Sequence, residues 1–405
     1  MPRLSTETTV PSQNYDIITI GGGIAASSLA KSMAERGARV LILERETNFK
    51  DRVRGEGLVP WGGGEARELG IYDLLKNTCA HDLPFVDSGM GRRDLTRTTP
   101  QGLPILSFQH PVMQETLLAA AQQAGAEVRR GVTVEHVQAG PTPAVITGTG
   151  NYERISARLI VAADGRGSVA RKWLGFPVQE QSNSFYMAGV LLTGVQAPTD
   201  TIFFIFNPNL GMCAVLVSLG NARFRAYLIY PKAFGYRLQG DAMLNLFTSE
   251  SPKAFPPLAD YYAEAKSIGP LASFDTSDSW VEHPYRDGVV LVGDAAATTD
   301  PTFGQGLSLA LRDARTLRDE LSKDSDWAAA ATRYAQKRCV YFHTCHTVES
   351  WLRTLLLDPS PEASARRVKA MPLIAQDPSR IPDHINSGLD LPLNDQVRAR
   401  MFGEC

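Results

Sequence analysis

Short apolar runs rich in β-branched residues recur along the chain, and several are followed by a glycine turn and a helical pattern. Residues 15–20 and 39–43 are typical of buried strands, and residues 24–36 between them have helical periodicity. Another buried strand is indicated at residues 289–292, with a helical pattern over residues 307–317 after it. Strands that alternate with helices in this way predict an α/β fold built on a parallel sheet.

The pattern changes to antiparallel strands in the middle of the chain. We expect these strands at residues 185–193, 201–206, 213–219 and 222–230. Along residues 224–230 the side chains alternate between two faces, so one face can contact a ligand while the other packs into a core. For any single aromatic residue here, a place in the sheet core is the alternative. Residues 58–108 are expected to add strands to this layer, and residues 359–405 to form loops and short helices.

A glycine-rich turn joins the first strand to the first helix, with the sequence Gly21-Gly22-Gly23-Ile24-Ala25-Ala26. Gly21 permits a tight turn, Gly23 lets the backbone approach a pyrophosphate, and Ala26 still allows the helix to pack closely on the strand. The helix that begins at Ile24 and Ala25 points its N-terminus at the phosphates. Glu44 ends the next strand about twenty residues on, where a carboxylate accepts hydrogen bonds from an adenosine ribose. The pattern predicts a dinucleotide site, with NAD and FAD both open and a ligand-free turn as the alternative.

A second glycine loop, near residue 300, favours FAD over NAD as the dinucleotide. Asp294 follows the strand at residues 289–292, at the strand end where open α/β sheets bind ligands, and its carboxylate can accept a hydrogen bond from a polyol. After a turn at Pro301, Gly304 and Gly306 lead into a helix that begins near Leu307. The positive end of that helix would stabilise the negative charge of a reduced flavin. We therefore predict FAD, with a plain strand–helix connection as the alternative.

A third signature, Ala163-Asp164-Gly165-Arg166, lies between the two glycine turns. In this order the three signatures resemble the flavoprotein monooxygenases of the p-hydroxybenzoate hydroxylase type, and the resemblance covers about residues 14 to 330. It implies that residues 21–26 bind the ADP half of FAD, that Asp294 contacts the ribityl chain and that residues 301–306 lie against the flavin ring. It also implies that Asp164 contacts FAD and a transiently bound nicotinamide cofactor.

The same resemblance implies an activity. It is that of a monooxygenase that consumes NADPH or NADH and dioxygen and hydroxylates an aromatic, polyketide-like or related electron-rich small molecule. In this family the oxygen is transferred from a flavin C4a-hydroperoxide, and the nicotinamide cofactor binds without a domain of its own. The sequence alone does not identify an acid–base pair or the substrate.

Several positions depart from the pattern of that family. His110 stands where relatives commonly have an arginine at the start of a helix, so a permanent cation is replaced by a titratable group. Gln114 can supply a neutral hydrogen bond to FAD instead, and a simple helix-capping role for His110 is the alternative. Ala297 and Ser308 stand where many relatives have histidine and asparagine. The resemblance further places three positions near FAD, with solvated charges as the alternative for the two arginines: Arg45, Arg54 and Val134.

These motifs divide the chain into an FAD-binding domain with a substrate domain inserted in it. The FAD-binding domain is expected at residues 14–57, 109–178 and 281–325. The substrate domain, mainly an antiparallel sheet, is expected at residues 58–108 and 179–280. A C-terminal helical segment follows over residues 326–405, and residues 1–13 are expected to be a flexible N-terminus.

Composition is that of an ordinary globular protein, and it excludes several partners. The chain has 405 residues, of which 43% are hydrophobic and 21% charged, and its formal net charge is -2. That charge offers no basic field for nucleic acid or an anionic membrane, and no apolar stretch is long enough to cross a bilayer. We expect small-molecule ligands, no obligate protein partner and a cytoplasmic location.

The five cysteines argue against a disulfide framework, because they are odd in number and scattered. No Cys-x-x-Cys pair is present, which weakens a disulfide reductase hypothesis. Cys339, His343, Cys345 and His346 lie close together, but all belong to one predicted helix, whereas two ligand pairs normally come from separate elements. We expect packed helix residues here and no metal site.

Three other functions share the expected cofactor. A flavin-dependent halogenase is disfavoured because its W-x-W-x-I-P signature is absent. A geranylgeranyl-reductase-like enzyme is the nearer alternative, since residues 54–58 are similar to the Cys-Gly-Glu-Gly-Leu of that family with arginine in place of cysteine. A flavin-binding redox protein without oxygenase turnover is the third.

Overall fold

The computed structural model describes residues 15–89, 91–148 and 152–404; the expected flexible segment at residues 1–13 lies outside them. Its strands, numbered in chain order, are β1 Tyr15–Ile20, β2 Val40–Glu44, β3 Gly57–Leu58, β4 His81–Leu83, β5 Phe85–Asp87, β6 Arg92–Asp94, β7 Ile105–Ser107, β8 Glu127–Arg130, β9 Val134–Gln138, β10 Ala144–Thr147, β11 Glu153–Ala162, β12 Gln179–Gln181, β13 Phe185–Thr193, β14 Thr201–Asn207, β15 Met212–Ser218, β16 Arg223–Pro231, β17 Lys266–Ser267, β18 Ala272–Asp275, β19 Asp278–Trp280, β20 Tyr285–Arg286, β21 Val289–Leu291 and β22 Ala297–Thr298.

The α-helices are α1 Ile24–Ala34, α2 Pro60–Glu68, α3 Tyr72–Thr78, α4 Leu95–Thr98, α5 His110–Gln123, α6 Val169–Trp173, α7 Leu244–Ala254, α8 Leu258–Tyr261, α9 Gly306–Lys323, α10 Trp327–Leu356, α11 Pro361–Gln376, α12 His384–Ser387 and α13 Asp395–Phe402. Short 3₁₀ turns precede β22 and α9, at Gly293–Ala295 and Pro301–Phe303. No helix of the described chain is long and apolar enough to cross a membrane.

The first sheet is the predicted parallel one. Its order is β20-β21-β11-β1-β2-β8, and all neighbours are parallel except β20 with β21. Ile17 and Ile18 are both fully buried although they point to opposite faces, because α1, α5 and α9 cover one face and the β9–β10 hairpin the other. Burial on both faces explains why these strands are continuously apolar.

The second large sheet is antiparallel over most of its width, in the order β17-β13-β16-β15-β14-β5-β6. The four strands expected here are confirmed to within a residue or two at each end. One face packs on α7 and α8, and the other includes Met187, Val215 and Tyr227. That second face lines the large cavity of the molecule, so the sheet forms one wall of it.

Residues 58–108 differ from the expectation of strands alone. β5 and β6 do join the antiparallel sheet, but α2 and α3 occupy residues 60–68 and 72–78, and α2 packs on α9. The helix α2 contains three consecutive glycines, which disfavour helix, so tertiary packing overrides local preference here. The C-terminal region is helical as predicted, although α11 has 16 residues where only loops and short helices were expected. The α/β fold class is confirmed.

Candidate FAD and substrate site

One cavity of about 1680 Å³ runs from the first glycine turn to the wall of the antiparallel sheet. It exceeds the roughly 300–1,000 Å³ typical of a small-molecule site, and so has room for a dinucleotide and a second molecule. Nearly all the residues predicted to bind the cofactor line it: Gly21, Gly23, Ile24, Ala25, Glu44, Arg45, Arg54, His110, Gln114, Val134, Asp164, Asp294, Pro301, Gly304, Gly306 and Leu307. Ala26 is not among the lining residues; it is fully buried in α1.

The first glycine turn has the geometry that a pyrophosphate requires. Gly21 has a φ of +97°, and a Cβ there would lie 2.6 Å from the carbonyl oxygen of Ala163. The Gly22 backbone N–H donates to Oε2 of Glu44 at 2.7 Å, which fixes this buried carboxylate beside the turn. A Cβ on Gly23 would contact only Nε2 of Gln114, at 3.9 Å, so the approach to the N-terminus of α1 is open.

The second turn presents another open helix end. Asp300, fully buried, accepts a hydrogen bond from the backbone N–H of Thr302 at 2.9 Å and so holds the 3₁₀ turn. Added Cβ atoms on Gly304 and Gly306 would meet nothing within 4 Å. The N-cap residue of α9, Gln305, makes no capping bond, because its side chain bonds Trp61 and Phe303 instead. Backbone N–H groups at the start of α9 therefore remain for a ligand.

Asp164 and His110 are also fixed beside the cavity. Asp164 Oδ2 accepts from the Val169 N–H at 2.8 Å, whereas its Oδ1 is buried without a hydrogen-bond partner, as expected of a group that awaits a ligand. His110 does not cap α5; its Nδ1 donates to the carbonyl oxygen of Gly55 at 2.9 Å. Burial lowers the pKa of His110, so the ring is neutral at pH 7. A Cβ on Gly55 would lie 2.5 Å from that nitrogen.

A buried ionic group at the cavity wall was missed by sequence reasoning. The Tyr227 hydroxyl donates to Oε2 of Glu56, and both residues line the cavity. Behind them Nε of Arg225 lies 3.0 Å from Oε1 of Glu56, and its Nη2 donates to Asp51 at 2.6 Å. Burial raises the pKa of Glu56, against the opposing effect of Arg225. The sequence feature that could have indicated this group is that Arg225 and Tyr227 share a face of one strand.

The rest of the sheet wall is apolar, with side chains from Met187, Phe204, Phe206, Val215, Val217 and Phe274. Residues from the C-terminal segment, among them Ile374, Ile381 and Leu391, line the cavity from the other side. Arg93 is bound bidentately by Asp383, at 2.8 and 2.7 Å, and Arg92 pairs with Asp200. Both arginines therefore form ion pairs within the protein.

Ala297 and Ser308, which depart from the family pattern near the second turn, both pack against neighbouring elements. Ser308 packs against α2, where a Cβ on Gly62 would lie 2.1 Å from its Oγ. Ala297 lies in β22, opposite Trp280 of β19. Among the described cysteines, Cys79, Cys213, Cys339 and Cys345 are free thiols.

Comparison with known proteins agrees with this geometry. The family model for the FAD binding domain matches residues 14–338. The chain belongs to this family. It is 24% identical to rifampicin monooxygenase of Streptomyces venezuelae, over 87% of this chain and 74% of that protein. It is 25% identical to 6-methylpretetramide 4-monooxygenase of Streptomyces rimosus, over 90% of each. Aklavinone 12-hydroxylase of Streptomyces peucetius is 29% identical over 74% of this chain, which spans 65% of that enzyme's length.

Solved structures of other proteins share the fold. The p-nitrophenol 4-monooxygenase PnpA of Pseudomonas putida superposes with a TM-score of 0.77 at 19% identity, over 92% of this chain and 97% of that one. The flavin-dependent brominase Bmp2 superposes with a TM-score of 0.75 at 17% identity, over 97% and 94%. Membership of the FAD-binding family confirms the predicted cofactor, and the open turns and the orphaned Asp164 oxygen fit it.

Proposed function

We propose that this protein is an FAD-dependent monooxygenase that uses NADPH or NADH and dioxygen to hydroxylate an aromatic or polyketide-like small molecule. The observation that supports this most directly is the single cavity that joins both glycine turns to an apolar sheet wall. The relatives named rifampicin monooxygenase, aklavinone 12-hydroxylase and 6-methylpretetramide 4-monooxygenase support the same activity. We also propose a cytoplasmic location, supported by the free thiols.

The residues that hold FAD in this proposal are those of the two turns. Glu44 takes the adenosine ribose, the N-terminus of α1 takes the pyrophosphate, and the N-terminus of α9 faces the flavin ring. When bound, FAD supplies the redox chemistry, accepting a hydride from the nicotinamide cofactor and activating dioxygen. The apolar wall and the C-terminal segment exclude water from the reacting atoms.

Glu56 and Tyr227 are the polar group that we assign to proton handling. The raised pKa of Glu56 keeps its carboxyl protonated more readily than an exposed one, and Tyr227 connects it to the sheet by the hydrogen bond to Oε2. A substrate hydroxyl that approaches the wall would meet this pair. The pair can then take or return the proton of that hydroxyl.

The charges at the wall favour a neutral substrate. Arg93 is neutralised by Asp383, and Arg225 by Asp51. A carboxylate that bound to Arg93 or Arg225 at this wall would have to break one of these pairs, which leaves a charge without a partner. An extended neutral ring system, which gains from apolar contact along the wall, fits better.

The test is consumption of NADPH or NADH by the purified yellow protein, with a panel of neutral polycyclic phenols and simple carboxylated phenols. We expect ring phenols to stimulate consumption and to acquire one oxygen atom from isotopically labelled dioxygen. Product that forms without dioxygen would indicate a reductase, product that forms only with added halide a halogenase, and no product a non-enzymatic flavoprotein. Each of these results would overturn the proposal.

A further inference from the structure

A second group of reactive side chains lies outside the cavity, between α10 and the segment that follows β19. Oε2 of Glu282 lies 2.8 Å from Nε2 of His343 and accepts a hydrogen bond from Sγ of Cys339 at 3.3 Å. The three atoms all lie within 4.8 Å of one another. Oxygen, nitrogen and sulfur thus converge on one point.

The three side chains come from two elements, which removes the reason for expecting no metal here. Cys339 and His343 are four residues apart and share a face of α10, whereas Glu282 lies in the segment that follows β19. Cys345, which the sequence placed in the same cluster, is fully buried elsewhere on the helix. His346 bonds Gln181 through Nε2 at 2.8 Å and is not one of the three.

The Glu282 carboxylate is held in a fixed orientation by Trp280. The Trp280 indole N–H donates to Oε1 of Glu282 at 2.8 Å, which fixes the carboxylate and turns Oε2 toward Cys339 and His343. A neighbour that orients a ligand in this way is a common feature of metal sites. The side chains of His343 and Glu282 are 41% and 37% exposed, so a hydrated ion can reach them.

We propose that Glu282, Cys339 and His343 form a Zn²⁺ site, with water as the fourth ligand. All three are zinc ligands, and bond lengths of about 2.0–2.3 Å need ligand atoms that lie roughly 3–4 Å apart. Thiolate and carboxylate together balance the charge of the ion, and the thiolate favours zinc over magnesium or calcium. On binding, the thiol proton that Cys339 now donates to Glu282 is released to water. His343, which now donates from Nε2 to the same carboxylate, binds the ion through Nε2 as the neutral tautomer that carries its proton on Nδ1.

The ion would connect α10 to the segment after β19, which pairs with the chain that leads into the second glycine turn. Trp280 of β19 pairs with Ala297 of β22, and the Val281 N–H donates to the Ala296 carbonyl at 2.9 Å. Ala296 and Ala297 are the second and third residues after Asp294. The site is independent of the proposed oxygenase activity, so either can fail without the other.

The experiment is calorimetric titration of the FAD-loaded full-length protein with ZnCl₂, combined with zinc-edge X-ray absorption. We expect one equivalent to bind, with one sulfur neighbour at about 2.3 Å and nitrogen or oxygen neighbours at about 2.0–2.1 Å. C339S and H343Q should each weaken binding more than about 100-fold, and Trp280→Phe about 10–100-fold.

Two matched variants on α10 serve as controls. C345S removes a buried thiol and H346N the neighbouring imidazole, and both should bind zinc as the parent does. Unchanged thermal unfolding of C339S and H343Q in the presence of EDTA would establish that these variants fold. Absence of a one-equivalent site, absence of the sulfur shell, or equal binding by parent and C339S would each overturn the proposal.

Discussion

At the scale of single residues, the conformation around the cavity depends on positions that a local pattern does not reveal. Val53 has a φ of +55°, uncommon for a β-branched residue, and is buried beside Gly189 and Tyr227. A Cβ on Gly189 would lie 2.4 Å from the Tyr227 ring. These close contacts fix the ring of Tyr227 and so the geometry of its bond to Glu56.

The first prediction concerns that bond. Glu56→Gln and Tyr227→Phe should each lower kcat by about 100-fold, because each removes the path for the substrate proton, and should leave FAD affinity within a few-fold. Steady-state rates between pH 5 and 9 are the measurement, and the acid limb of the profile should disappear in E56Q.

Tyr186→Phe, on the opposite face of the same sheet, is the matched control and should behave as the parent. A pH profile of E56Q that kept the parental shape would contradict a proton-handling role and leave only packing.

At the scale of elements, α2 and α9 approach so closely at Gly62 that no side chain fits there. A Cβ on Gly62 would lie 2.1 Å from Oγ of Ser308 and 2.5 Å from Cδ1 of Leu58. The same helix has a glycine at Gly64, where the nearest atom to an added Cβ is Cγ of Gln101 at 3.3 Å. The two glycines therefore have different reasons to be present.

Gly62→Ala should destabilise the protein by about 1–3 kcal/mol, since overpacking must separate α2 from α9. Gly64→Ala should be neutral or stabilise by up to roughly 1 kcal/mol, because alanine favours helix and the Gln101 side chain can move. Urea unfolding at pH 7 measures both. Equal effects of the two substitutions would show that backbone preference, and not the packing of α2 on α9, sets the result.

The long helix α10 has a buried carboxyl that should make stability depend on pH. Burial raises the pKa of Glu349 well above its ordinary value, Asp278 and Asp300 add to the effect, and Arg353 opposes it. A side-chain hydrogen bond from Cys345 also opposes the rise in pKa. A raised pKa means that the stability it contributes is complete below about pH 4.5 and declines as the pH rises toward the folded-state pKa.

Glu349→Gln removes that ionisation. We expect it to have little effect near pH 4 and to raise the free energy of unfolding near pH 8, because the glutamine amide stays neutral where the buried carboxyl has to ionise. Urea unfolding at several pH values is the measurement. A stability difference that stays constant with pH would contradict the prediction.

At the scale of the whole molecule, the C-terminal segment closes the cavity by contacts across long stretches of chain. Asp383 binds Arg93 of β6, Gln101 donates to the carbonyl oxygen of Ser387 at 2.9 Å, and Asp390 binds Arg312 of α9. The segment thus rests on both the antiparallel sheet and the helices of the FAD-binding family fold. Residues of this segment also line the cavity, so we expect water to enter more easily when its contacts are broken.

Asp383→Asn should therefore loosen the cover. We expect amide hydrogen exchange over residues 382–391 to become several-fold faster, because the bidentate pair with Arg93 is lost, while exchange in β13–β16 stays the same. Asp377→Asn removes a pair with Arg400 inside the C-terminal region and is the control. Equal acceleration in both variants would show that Arg93 does not anchor the segment.

The sequence by itself determined the parallel sheet, the two glycine turns, the positions of the antiparallel strands and the cofactor. These are local: a strand, a turn with glycine at a positive φ and a helix follow one another within about thirty residues. Tertiary structure alone decided that Glu56 meets Tyr227, that Arg93 meets Asp383 and that Glu282 meets Cys339 and His343. Such contacts depend on how distant strands and helices pack, and a polar residue carries no local mark of the partner that packing will bring to it.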